Sequence, residues 1–195
     1  MGDPLDDIVA VLRGGDVVLL PTDTVYGLAV ATAVPGSIER LFALKGRGRD
    51  APIAVLVADA AQAWSITARP VPPTAVALAA QWWPGALTLV VRRDPAWTVD
   101  LGGDPSTVGI RCPDHVLVRA LCRIVGPLAT TSANRHGKPT PETASAAADA
   151  VGGVEMVVDG GVLTGAASTV VDCTVDPVRV LRQGAVPIEG ARRPR

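Results

Sequence analysis

Short aliphatic runs alternate with amphipathic segments along the chain, and no long polar stretch separates them. Leu5, Ile8, Val9 and Leu12 recur at helical spacing, which predicts a first helix, whereas the apolar run 17–20 predicts a buried strand. Further helices are predicted around 37–45, 72–83, 116–124 and 141–151, and further strands around 53–57, 87–91, 107–111, 127–131, 156–158, 169–171 and 178–181. Asp114 is the candidate cap of the helix around 116–124. The alternation predicts an α/β domain, and the adjacent late strands predict a mixed sheet.

Composition narrows the class of protein. The chain has 195 residues, of which 48% are hydrophobic, so it can bury one substantial core and is not disordered. Its net charge is −1 and its pI is about 6.1, so no overall field favours a nucleic acid or an anionic membrane. Any anion site must therefore be local.

The N-terminal segment and the cysteines bear on the compartment. The first residues lack the basic and apolar regions of a secretory signal, and no apolar run approaches the length that spans a membrane. Cys112, Cys122 and Cys173 are odd in number and far apart, which is typical of reduced thiols rather than of disulfides or a metal site. We therefore expect a cytoplasmic protein with no membrane association.

Polar clusters stand where apolar runs end. Thr22-Asp23-Thr24 follows the first predicted strand, Arg111 ends the fourth, and the segment 130–134 ends the fifth. Hydroxyl groups at a strand exit either cap a helix or bind a ligand. Capping fits poorly here, because the segment 25–28 at once resumes strand-like composition. Since open α/β sheets bind ligands beyond their strand ends, these clusters predict one concave site.

The cations add a second indication of a ligand. Only Lys45 and Lys138 among the 18 basic residues are lysines, and a compact ammonium suits phosphate or carboxylate. We expect Lys45 to face a ligand from the surface at or just past a helix end, and Lys138 to be an ordinary surface lysine. His115 and His136 have no partner that indicates a catalytic dyad, and no glycine-rich phosphate loop is present. A bound nucleotide would therefore be held by cations and hydroxyls.

Seven segments in one order carry a resemblance to a known family. They are Pro21–Leu28, Lys45 with Arg47, Trp83–Thr88, Thr107–Pro113, Thr131–Asn134, Ser168–Asp172 and Leu181–Gly184. Together they resemble the YrdC-like threonylcarbamoyl-AMP synthase family in its single-domain subtype. The resemblance implies an α/β fold with an open, twisted mixed sheet, flanking helices and a concave ligand groove. It also implies a reaction that joins L-threonine, bicarbonate and ATP into threonylcarbamoyl-AMP and pyrophosphate for the threonylcarbamoyladenosine modification of tRNA.

The resemblance assigns roles to residues of this sequence. The implied catalytic residues are Lys45, Arg47, Ser132 and Asn134. The implied ATP contacts are Arg47, Thr107, Ser132, Thr140 and Arg182. The implied L-threonine contacts are Thr24, Arg111, Thr130 and Ser168. Mg²⁺ is expected to arrive with ATP, and no metal site is expected from the protein alone. The chemistry would be positioning and charge neutralisation.

Some features depart from the family or leave alternatives open. Ala51 and Leu56 stand where some members place a polar residue and a histidine. Residues 1–187 are expected to form one catalytic domain, and residues 188–195 a flexible basic tail. The product would pass to a threonylcarbamoyl-transferase complex, with tRNA binding weak or indirect. The alternatives are an RNA-binding module of the same fold without synthase activity and a carbamoyl-transfer component.

Overall fold

The computed structural model describes residues 4–46, 48–135 and 137–188. Its helices are α1 (Pro4–Arg13), α2 (Ser37–Lys45), α3 (Ala60–Ser65), α4 (Pro73–Trp82), α5 (Val116–Val125) and α6 (Ala144–Val151). Its strands are β1 (Val18–Leu20), β2 (Gly27–Ala31), β3 (Ala54–Leu56), β4 (Leu87–Arg92), β5 (Thr107–Arg111), β6 (Leu128–Ser132), β7 (Met156–Val157), β8 (Thr169–Asp172) and β9 (Arg179–Arg182). The predicted alternation of helices and strands is therefore confirmed.

Three differences from the sequence prediction lie at helices. The short helix α3 was missed; Asp59 caps it by accepting a hydrogen bond from the backbone N–H of Gln62 at 3.0 Å. Helix α6 begins at Ala144, later than predicted. Thr143 is its N-cap, and the Thr143 hydroxyl accepts a hydrogen bond from the backbone N–H of Ala146. Asp114 was predicted to cap α5, but the residue at the cap position is His115, whose side chain makes no capping hydrogen bond.

The sheet is open and mixed. Strands of the described residues follow the order β7-β1-β2-β6-β3-β5-β4-β8-β9, with β7 and β9 at the two edges. The pairs β1–β7, β3–β5 and β4–β8 are parallel, and the remaining pairs are antiparallel. The prediction of a mixed rather than purely parallel sheet is confirmed.

The two faces of the sheet are covered to different extents. One face packs against α2, α3, α4 and α6 in the larger hydrophobic cluster. The other face is covered by α1 and α5, and this smaller cluster draws on β1, β2, β3 and β6 but on no residue of β4, β5 or β8. Side chains alternate along β5, so Val108 and Ile110 enter the larger cluster while Thr107, Gly109 and Arg111 lie on the opposite face. The uncovered half of that face forms the floor of a groove.

A crossing segment, residues 158–168, runs from β7 to β8 and is held by Tyr26. The tyrosine ring is fully buried, and its hydroxyl accepts a hydrogen bond from Gly160 N at 2.9 Å and donates one to Gly161 O at 2.7 Å. Burial raises the pKa of this phenol above its usual value. A Cβ at Gly165 would lie 2.5 Å from the carbonyl oxygen of Thr24, so the backbones touch here. The segment therefore packs directly on the threonine-rich turn.

We expect Tyr26→Phe to lower the free energy of unfolding by about 1–3 kcal/mol, because it leaves Gly160 N–H and Gly161 C=O without their buried partner. Urea unfolding measures the loss, and amide hydrogen exchange at Gly160 should accelerate. Ser65→Ala is the control, since it removes a hydroxyl hydrogen bond from an exposed position. A loss no greater than that of the control would contradict the anchoring role of Tyr26.

Candidate functional site

Lys45 joins the end of α2 to the end of β6. It is buried, and its Nζ donates to Ser132 O at 2.5 Å, to Asn134 Oδ1 at 2.6 Å and to Asn134 O. The Ser132 hydroxyl donates to the same Asn134 Oδ1 at 2.6 Å. The structure thus brings together three of the four predicted catalytic residues. The expectation of a surface lysine was wrong, because the side chain is buried and its ammonium donates to oxygens of Ser132 and Asn134.

Arg111 is the most constrained charged side chain of the groove. Only 8% of the side chain is exposed, and it donates through Nε to Gly85 O at 3.0 Å, through Nη1 to Thr24 Oγ1 at 2.9 Å and through Nη2 to Asp23 Oδ1 at 2.6 Å. A guanidinium carries five N–H donors, so one on each terminal nitrogen remains for a ligand. Bidentate binding of a carboxylate would use these two donors.

Ser168 and Arg182 form the other wall of the groove. The Ser168 hydroxyl lies 2.9 Å from the Thr88 hydroxyl, and Arg182 Nη2 donates to Ser168 O at 2.9 Å and to Ser168 Oγ at 3.1 Å. Desolvation lowers the pKa of Arg182, and the positive charge of Arg111 lowers it further. The two guanidinium groups are therefore close enough to repel, and an anion between them would relieve that repulsion.

The remaining predicted residues are less constrained. Thr107 on β5 and Thr130 on β6 are half-buried, and among the described residues each hydroxyl donates only to a nearby backbone carbonyl. Thr140 follows β6, is half-buried and makes no side-chain hydrogen bond within the described part of the chain. Arg47 lies outside the described residues, so its predicted contacts with ATP and the reacting groups stay predictions. Lys138 is exposed, as expected.

The two departures from the family pattern differ in their surroundings. Leu56 is buried in the smaller hydrophobic cluster and pairs with Arg111 across β3 and β5, so its side chain is part of the core beside the site. Ala51 is half-buried in the turn before β3. Neither side chain can donate a hydrogen bond to a ligand.

Three groups of the site were not assigned a role from the sequence. Asp23 pairs with Arg111, Thr88 pairs with Ser168, and the carbonyl of Gly85 fixes Arg111 Nε. All three stand inside segments that carry the family resemblance, and Asp23 lies between two threonines. The position of Asp23 between two threonines was the sequence signal for a role in the site. Its partner Arg111 is 88 residues away along the chain, and residue spacing cannot reveal such a pair.

Two kinds of feature are not found in the described structure. Within residues 4–46, 48–135 and 137–188, no group of His, Cys, Asp or Glu side chains is arranged to hold a metal ion. None of the helices in these ranges is long and apolar enough to span a membrane. The three cysteines are buried free thiols.

Comparison with known proteins identifies the family. The family model Sua5_yciO_yrdC, described as telomere recombination, matches residues 10–184. The chain belongs to the Sua5/YciO/YrdC family. A Bacillus subtilis relative named threonylcarbamoyl-AMP synthase is 40% identical over 181 residues, which cover 91% of this chain and 52% of the relative. A Mycobacterium tuberculosis relative is 40% identical over 186 residues, covering 93% of this chain and 84% of its own.

A solved structure of the Sua5/YciO/YrdC family matches the groove-bearing fold. Pyrococcus abyssi Sua5 complexed with L-threonine superposes with a TM-score of 0.89 at 34% identity, covering 97% of this chain and 58% of that protein. The predicted fold class is confirmed. The chain spans about half the length of the Bacillus relative.

We expect Lys45→Ala to lower the free energy of unfolding by about 1–3 kcal/mol, because it removes the hydrogen bonds that the buried ammonium donates to Ser132 O, Asn134 Oδ1 and Asn134 O. Lys138→Ala is the matched control and should stay within about 0.5 kcal/mol of the parent protein. Urea unfolding of the three proteins measures both effects. Equal stability of the two variants would contradict the structural role of Lys45.

Proposed function

We propose that this protein is an L-threonylcarbamoyladenylate synthase, which joins L-threonine, bicarbonate and ATP into threonylcarbamoyl-AMP and pyrophosphate. The observation that carries the proposal is the pair of guanidinium groups, Arg111 and Arg182, held against hydroxyl groups in one open groove. All substrates of this reaction are anionic or carry a carboxylate, and their mutual repulsion must be offset where they meet. The name of the Bacillus relative supports the same reaction.

Arg111 is the proposed receptor for the threonine carboxylate. Its two remaining N–H donors lie on the terminal nitrogens, which is the geometry of a bidentate carboxylate contact. Thr24, Thr130 and Ser168 supply hydroxyls as the other proposed threonine contacts. The L-threonine complex of the related Pyrococcus protein supports an amino-acid site in this fold.

The nucleotide is proposed to use Arg47, Thr107, Ser132, Thr140 and Arg182. Thr107 and Arg111 lie on the same face of β5, four positions apart, so their Cα atoms are about 13 Å apart. This spacing lets a nucleotide and an amino acid lie along one groove with their reacting ends between them. Lys45 binds the end of β6 and the residues after it, so contact between its ammonium and a phosphate would require the release of a hydrogen bond to Ser132 or Asn134.

The proposed chemistry needs position and charge rather than a protein nucleophile. The threonine amine combines with bicarbonate, with loss of water, to give a carbamate. A carbamate oxygen then bonds to the α-phosphorus of ATP, and the bond from that phosphorus to the bridging oxygen breaks as pyrophosphate leaves. Lys45, Arg47, Ser132 and Asn134 are the proposed catalytic residues at this centre. Mg²⁺ would neutralise phosphate charge and take most of its ligands from the triphosphate and water, since the described residues offer no acidic cluster.

The proposed cellular role follows from the product. Threonylcarbamoyl-AMP would pass to a threonylcarbamoyl-transferase complex that modifies tRNA, in the cytoplasm, with weak or indirect contact between this protein and tRNA. A module that binds RNA without synthase activity is the weaker candidate. Net charge −1 and an aromatic content of 3% offer neither a broad phosphate-binding surface nor stacking platforms. A carbamoyl-transfer component would not require L-threonine.

Pyrophosphate release tests the reaction. The purified protein should release pyrophosphate from ATP only when L-threonine, bicarbonate and Mg²⁺ are all present, because each supplies a part of the product or its charge balance. Mass spectrometry should detect a threonylcarbamoyl adenylate. Turnover of similar rate without threonine, or release of phosphate in place of pyrophosphate, would rule out the synthase.

Replacement of the carboxylate-binding arginine tests the division of the groove. Arg111→Lys should weaken L-threonine binding at least about tenfold and ATP binding much less, because lysine keeps the charge but loses the bidentate fork. Isothermal titration of each substrate measures the two affinities. Arg179→Lys is the control, since Arg179 pairs with Asp172 near an edge of the sheet. Loss of ATP affinity with unchanged threonine affinity would reverse the assignment.

A further inference from the structure

An acidic side chain lies inside the cationic part of the groove. Asp23 Oδ1 accepts the hydrogen bond from Arg111 Nη2 at 2.6 Å. The carboxylate side chain is 14% exposed, compared with 8% for its arginine partner. Its second oxygen, Oδ2, has no hydrogen-bond partner in the described part of the chain. The pair is therefore largely withdrawn from water, and one acidic oxygen still has capacity to accept.

The Asp23 carboxylate weakens the binding of a ligand that carries only negative charge. A negative charge 2.6 Å from the guanidinium offsets most of its attraction for a second anion. Arg111 is already oriented by Gly85 O and Thr24 Oγ1, so Asp23 is not needed to fix its direction. A ligand that carries both charges is favoured instead. In an α-amino acid, the ammonium and the carboxylate are attached to the same carbon. The two groups can therefore contact the Asp23 carboxylate and the Arg111 guanidinium at the same time.

His115 does not neutralise this acid. Burial lowers the pKa of His115, although the negative charges of Asp23 and Asp114 act in the opposite direction. Its Nδ1 is buried without a hydrogen-bond partner in the described structure. At neutral pH the ring is therefore uncharged, so Arg111 is the cation that the structure pairs with Asp23.

We propose that Asp23 binds the α-ammonium group of the amino-acid substrate while Arg111 binds its carboxylate. The inference rests on the proposed function and adds a specificity determinant to the same site. Asp23 then selects α-amino acids against the corresponding α-hydroxy acids, which have the same carboxylate and shape but no ammonium. It also holds on a fixed side of the bound molecule the nitrogen that, after its extra proton is lost to solvent, reacts with bicarbonate.

Isothermal titration with two ligands tests the proposal. L-Threonine and the 2,3-dihydroxybutanoate of matching configuration differ in the ammonium group. The parent protein should bind threonine at least about tenfold more tightly. Asp23→Asn should remove that preference, because its amide oxygen can still accept from Arg111 but carries no charge. The asparagine variant should bind threonine more weakly and the dihydroxy acid equally well or better.

Asp172→Asn is the matched control. Asp172 also pairs with an arginine, Arg179, at 3.0 Å, but on β8 and β9 rather than beside Arg111. This variant should keep both affinities and the preference for threonine. If Asp172→Asn loses the preference as fully as Asp23→Asn, the loss is unspecific and the proposal is overturned.

The remaining outcomes separate this inference from the proposed function. An equal loss of both ligands in Asp23→Asn would mean that Asp23 only positions Arg111, and it would overturn the ammonium contact while the synthase reaction stands. If Asp23→Asn does not fold, the two affinities of the parent protein still test the proposal. Equal affinity of the parent protein for L-threonine and the dihydroxy acid would overturn the ammonium contact. A parent protein that binds no threonine contradicts both this contact and the proposed function.

Discussion

The groove depends on one buried guanidinium. Arg111 ends β5 and contacts a carbonyl in the turn before β4, a hydroxyl and a carboxylate in the turn after β1. A buried charge is tolerated only when it is paired and hydrogen-bonded. Movement of any of these partners away from Arg111 would leave its charge less well compensated, so each partner is held in place. Three chain segments are thereby fixed around one group. The walls of the candidate site follow from that requirement.

Much of the architecture could be predicted from local pattern. Core-facing and groove-facing residues alternate along 107–111, because one face of this strand packs on the core. This two-residue period predicted the same bounds for β5 as the structure shows. The predicted helices and strands occur in the structure in the same order, whereas β2 was indicated only by the strand-like composition of 25–28. Helix α3 was missed because it is only six residues long, and its capping by Asp59 gives a weaker signal than apolar periodicity.

The site was predictable in its residue types but not in its contacts. Thr24, Arg111, Ser132, Asn134 and Ser168 were identified from the resemblance, and the structure places them in three hydrogen-bonded groups. The burial of Lys45 was not foreseen, because a lysine at a helix end is normally solvated. Its partners come from β6 and the loop that follows, about ninety positions later, and no local rule connects such segments. The Tyr26 hydroxyl, two positions after Thr24, is hydrogen-bonded to the crossing segment, and this long-range contact also has no local sequence signal.

The crossing segment makes the groove depend on contacts between distant parts of the chain. It leaves edge strand β7, passes over Thr24 and enters β8 near the other edge, so its contacts join parts of the sequence more than a hundred positions apart. Closing the chain between such distant positions costs entropy before the contacts contribute stability. The groove is therefore complete only when the whole sheet is assembled. A ligand that binds there stabilises the entire native state rather than one lobe of it.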